Sequence, residues 1–107
     1  LFRFAPVTVT GLRIVPSLGG VAIDEIEIYA ASGLFVLGDL ALLQEGGAAA
    51  PGNLALAGTA FSQNEIGVAP HSTAGVNDGV PGNDSSWIGG STSSFVGLDL
   101  GGARSIN

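Results

Sequence analysis

Six residues late in the chain, Phe95-Val96-Gly97-Leu98-Asp99-Leu100, alternate strictly between two faces. Val96, Leu98 and Leu100 fall on one side, and Phe95, Gly97 and Asp99 on the other. A period of two is the repeat of a strand with one face in a core, and it excludes a helix here. The same period runs through residues 21–30, where Ile26 and Ile28 oppose Glu25, Glu27 and Tyr29. Residues 7–16 add the β-branched Val7, Val9, Ile14 and Val15 and end at Pro16, which suits a strand that then breaks off. Turn residues at 17–20 predict that these two strands pair as a hairpin.

The remainder reads as strands and long connections. Residues 53–63 predict the start of a strand, and 64–90 a long polar loop of the kind that carries function or an ion. After Gly101-Gly102, residues 103–107 read as the beginning of a further strand. Residues 34–43 fit a strand pair around Gly38-Asp39 or one helical stretch, with strand preferred, and 45–52 read as a linker. The expected organisation is therefore closing strands over 1–32, linker or extra strands over 33–52, and a second group of strands over 53–107.

Composition narrows the function. In 107 residues there are 18 glycines yet 46% hydrophobic content, which suits short strands joined by tight turns rather than disorder. The net charge is -6, with only Arg3, Arg13 and Arg104 basic and scattered, so no nucleic-acid footprint is present. An anionic membrane is equally unsuitable as a partner. The longest apolar run, 33–43, is interrupted by Asp39 and is too short for membrane insertion. With no cysteine, disulfides and thiolate metal sites are excluded. The first residue is Leu1, which reads as a processed, excised or partial chain.

Several short motifs, each weak alone, occur in a telling order: Asn53-Leu-Ala-Leu, then Asp78-Gly79, then Ser85-Ser86-Trp87, then the Asp-Leu-Gly of residues 99–101. Together residues 53–107 resemble the opening half of a discoidin module (coagulation factor 5/8 type C family). Residues 7–30, ending in Glu-Ile-Glu-Ile-Tyr, resemble the closing half. The resemblance implies an all-β, galactose-binding-like jelly-roll sandwich with its halves in inverted order. The chain then straddles two tandem modules, forms a permuted and partial sandwich closing on itself, or is completed by strand exchange with a neighbour.

The resemblance also implies a structural calcium where the long loop meets the closing strand. Its ligands would be the carboxylates of Asp78 and Glu25, the Ser85 hydroxyl, the Asp24 carbonyl, and carbonyls near Gly75 and Val80. Such a mixed oxygen set suits calcium. The plainer expectation is that Asn77-Asp78-Gly79 is only a turn and that Glu25 and Glu27 line a solvated strand face. His71 and Asn64 are the expected carbohydrate contacts, with His71 as a solvated loop residue the simpler alternative, while Trp87 is expected in the core. Asn83-Asp84-Ser85 is a glycosylation sequon.

No catalytic constellation is expected. There is no recognisable Ser/His/Asp arrangement, no phosphate loop, and nothing in the sequence to raise the pKa of Glu25, Glu27 or Glu65. The resulting expectation is an extracellular or cell-surface, non-enzymatic module that binds a glycan or surface polymer. The alternative is a self-associating structural subunit of a filament or surface array, joined head to tail by strand complementation.

Overall fold

The computed structural model describes residues 4–30, 52–82 and 84–107. It is an all-β arrangement of two small antiparallel sheets. The strands are β1 (Val7–Ile14), β2 (Ala22–Ile23), β3 (Thr59–Gln63), β4 (Trp87–Ile88) and β5 (Phe95–Ile106). One sheet has the order β1-β5-β3, and β2 pairs with β4 in the other. The expectations for residues 34–43, most of the linker 45–52, and the glycosylation at Asn83 lie outside the described residues.

The period of two in β5 does what it predicts. Val96 and Leu98 are fully buried and Leu100 nearly so, while Asp99 is exposed. Register extends the two faces across the sheet: Leu12, Leu98 and Ala60 form one row, and Ile14, Val96 and Ser62 the next. Leu12, Ile14 and Ala60 pack against a core of Ile26, Ile28, Ala55, Val76, Trp87, Val96, Leu98, Leu100 and Ile106. Burial of each large side chain of this set contributes on the order of 1.5–3 kcal/mol.

The hairpin expected from the turn at 17–20 does not form. β1 pairs with β5 and β2 with β4, so the two segments diverge after the turn. The apolar faces match in this pairing: Leu12 lies opposite Leu98 and Ile14 opposite Val96, and both of these β5 partners are fully buried core residues. The strand expected over 21–30 is also shorter, since only Ala22–Ile23 forms a ladder and Tyr29 and Ala30 make isolated bridges to Asn53 and Ile106. Ile26 and Ile28 nevertheless point inward as the alternation requires.

Two further boundaries move. Leu54–Ala57 is a 3-10 turn, so β3 starts only at Thr59. Residues 103–106 continue β5 rather than opening a new strand. The register slips instead: Val9 faces Arg104 and Gly11 faces Asp99, so Thr10 alone spans Leu100 through Ala103. Gly101 and Gly102, at φ 69° and 159°, make that bulge possible.

The closing segment and the 53–107 segment thus meet within one chain. Ile28 N–H donates to Asn53 Oδ1 at 2.9 Å, and Leu54 N–H to the Ile28 carbonyl at 2.7 Å. Among the described residues, no helix is long and apolar enough to cross a membrane.

Candidate functional site

The long loop folds against the closing segment through backbone contacts. Ile26 N–H donates to the Val76 carbonyl at 2.6 Å, which seats the 3-10 turn Thr73–Val76 beside Asp24 and Glu25. Gly75 lies directly against the Ser85 backbone, with no room for a Cβ between them. Asn77 Nδ2 donates to the carbonyls of Ala55 and Gly58, at 2.8 and 3.0 Å, and ties the loop to the turn before β3. Asn77 is therefore more than a turn residue.

Acidic groups collect at this junction. Asp78 Oδ1 accepts from Val80 N–H at 2.8 Å and Oδ2 from the Ser85 hydroxyl at 3.3 Å. The first bond is the Asx turn that the Asn77-Asp78-Gly79 sequence predicts, with Gly79 at φ 79°. Asp24 Oδ2 accepts from Gly82 N–H at 2.6 Å. Its other oxygen, and both oxygens of Glu25, are buried without a hydrogen-bond partner among the described residues. The Gly79 amide favours the charged form of Glu25 but stops short of completing a hydrogen bond. Burial, with the charges of Asp78, Glu27 and Asp24, pushes the Glu25 carboxyl up to about 7. Glu25 is thus not part of a freely solvated strand face.

The residues fit a hard cation by donor chemistry. The orphaned Glu25 carboxylate feels the charges of both Asp78 and Asp24, Asp24 keeps one oxygen without a partner among the described residues, and Asp78 is bonded by the Ser85 hydroxyl. Calcium accepts such a set and completes it with backbone carbonyls. Among the described residues no three Asp, Glu or His side chains converge closely enough to hold a metal by themselves, so any ion here would need backbone carbonyls for part of its coordination. Val80 itself is 62% exposed.

The expected carbohydrate contacts are engaged separately. His71 Nδ1 lies 3.2 Å from both the Ser86 carbonyl and the Ser86 hydroxyl, half-buried. Asn64, at φ 54°, donates from Nδ2 to the Ser93 hydroxyl and accepts at its carbonyl from Ser94 Oγ and Gly90 N–H. No hydrogen bond joins the two. Trp87 is fully buried, as expected of a core residue.

The other carboxylates have separate partners. Tyr29 OH donates to Glu27 at 2.9 Å, and burial with that carboxylate pushes the phenol up to about 12. Glu65 accepts from the hydroxyls of Thr73, at 2.6 Å, and Ser62, at 3.4 Å.

Sequence reasoning missed two features. Asn53 is a buried polar side chain joining both halves, and its role depends on Ile28, distant in sequence. The second is the outer face of the three-stranded sheet, where Arg13, Gly97 and Phe61 form one row across β1, β5 and β3. The parity that placed Phe95, Gly97 and Asp99 opposite the core was the available signal. In comparisons with known proteins, no family model, curated protein or solved structure matches this chain.

Proposed function

We propose that the chain is a non-catalytic attachment module of an extracellular or cell-surface protein. In this reading it is a permuted, galactose-binding-like jelly roll that is steadied by calcium and holds a carbohydrate or surface polymer. The observation that carries the reading is the junction of Asp24 and Glu25 with the 75–85 loop. There, buried carboxylate oxygens lack partners among the described residues although the surrounding backbone is well tied. Glu25, Asp78, Ser85 and the carbonyls of Asp24 and near Gly75 and Val80 would hold the ion. Bound calcium supplies positive charge that offsets the crowded carboxylates and orders the loop. Glu25, Glu27 and Glu65 each have different surroundings, which gives no support to a paired acid and base.

A second reading draws on β1. A strand from the first segment adds to β5 of the second, and the β1 of another copy can take the same place. That exchange would make the chain a structural unit built head to tail.

Light scattering with millimolar calcium and then with chelator separates the two. The module reading expects a mass near 10.6 kDa in both conditions and earlier melting in chelator. Calcium-dependent polymers would replace it with the assembly reading. A glycan array without hits, on folded monomer, would remove carbohydrate as the ligand.

A further inference from the structure

The outer face of the β1-β5-β3 sheet carries a groove that the junction above does not use. It has a volume of about 360 Å³ and is lined by Thr10, Gly11, Arg13, Phe61 and Asp99 with the backbone of neighbouring residues. Register creates it. Gly97 stands between Arg13 and Phe61 in one row, and Gly11 stands beside Asp99 and Thr59 in the next. With no side chain at Gly97, the Phe61 ring lies across the strand, and a Cβ there would meet Phe61 Cζ at 2.6 Å. Phe61 keeps 40% of its surface exposed.

Its polar groups are fixed and only partly used. The Arg13 guanidinium sits 5.1 Å from the centre of the Phe95 ring, and Phe95 meets Phe61 edge to face at 6.2 Å. Among the described residues Arg13 makes no ion pair and no side-chain hydrogen bond. Asp99 Oδ1 accepts from Gly101 N–H at 2.9 Å, which anchors the carboxylate at the last regular pair before the bulge. Its Oδ2 makes no hydrogen bond to the described residues. Arg13 and Asp99 are diagonal neighbours on one face, yet they do not pair.

We infer that this groove binds a neutral sugar unit of a polysaccharide, with Phe61 beneath the ring and Arg13 and Asp99 on its hydroxyls. Each part of the ligand follows from the groove. An exposed aromatic ring takes the C–H face of a pyranose. Arg13 can only donate and Asp99 only accept, whereas a hydroxyl does both and satisfies each. An anionic ligand would meet Asp99 and a net charge of -6, and a cationic one would meet Arg13. The groove is open to solvent rather than enclosed, which suits one residue of a polymer better than an isolated small solute. The inference rests on the attachment reading and moves the binding surface from His71 and Asn64 to the sheet.

The test is affinity electrophoresis of the 107-residue chain in gels containing xylan, galactomannan, arabinogalactan or β-1,3-glucan, with backbone amide shifts mapped by NMR for any polymer that retards it. The expected result is retardation by at least one polymer and shifts centred on Arg13, Phe61, Gly97 and Asp99. Phe61→Ala and Asp99→Asn should each weaken retardation at least tenfold. Asp99→Asn keeps the oxygen that accepts from Gly101, so it tests the contact without removing the turn. Shifts centred on His71 and Asn64, with both variants binding normally, would overturn the sheet site while leaving glycan attachment standing. No retardation by any polymer would overturn both. Shifts of this face by free zwitterionic amino acids alone, or a doubled mass abolished by Phe61→Ala, would replace the sugar with a solute or a second copy.

Discussion

Asn53 Oδ1 accepts two backbone hydrogen bonds at once, from Ile28 N–H at 2.9 Å and from Ala55 N–H at 3.0 Å. The first comes from the closing segment, and the second caps the 3-10 turn that leads into β3. One buried amide therefore fastens together residues that are 25 positions apart.

Asn53→Ala should cost about 2–4 kcal/mol, because it leaves two buried N–H groups without an acceptor and removes a cap. Asn53→Asp keeps the accepting oxygen and should lose clearly less. Chemical denaturation of both variants is the measurement. Equal losses would mean that the side chain fills space rather than bonding the two segments.

Gly75→Ala should be more damaging than its size implies. The added Cβ collides with the Ser85 backbone, which has no flexible end to move aside. The 75–85 loop must shift, with a loss of about 3 kcal/mol or more, comparable with severe overpacking. A thermal melt within about two degrees of the parent would show that this backbone approach is absent in solution.

What was legible in the sequence was the parity of single strands. Val96, Leu98 and Leu100, and Ile26 and Ile28, declare their inward face through apolar alternation, and Trp87 is too large to leave exposed. Partners were less legible. The turn at 17–20 is local, whereas β1 joins β5 because of rows such as Leu12 with Leu98, which only the folded register creates. Gly101-Gly102 resembles a strand end because a bulge and a turn ask the same φ values of glycine. At the candidate site, Asp78 was readable as a turn, while the burial of Glu25 depends on a loop that starts some fifty residues downstream in the chain.

Trp87 offers a direct reporter of this packing. It is the only tryptophan and is fully buried, with its indole N–H unpartnered among the described residues. Emission from the native protein should be blue-shifted and move to the red on unfolding, coincident with the loss of the β signal in circular dichroism. Trp87→Phe removes volume but no hydrogen bond, so it should cost about 1–3 kcal/mol. Native emission already at the solvent-exposed wavelength would place the indole outside the core.

Glu25 sets a pH dependence of stability that the proposed calcium site would reverse. Its carboxyl is raised from the ordinary 4.5 to about 7, first by burial and then by Asp78, Glu27 and Asp24. The folded protein therefore holds this proton where the unfolded chain has released it. The favourable contribution is complete below pH 4.5 and is lost as pH rises from 4.5 to 7. Partial solvent exposure reduces it to on the order of 1 kcal/mol. In chelator the melting temperature should fall between pH 5 and pH 8, and Glu25→Gln should flatten the slope and raise the value at pH 8. Under the proposed calcium site the ionised carboxylate would become a ligand, so with calcium the parent should gain stability over the same range and Glu25→Gln should not. Melts at pH 5, 6, 7 and 8, followed through Trp87, give all four profiles. A flat chelator profile for the parent would mean that Glu25 is solvated, and identical profiles with and without calcium would remove the metal from the junction.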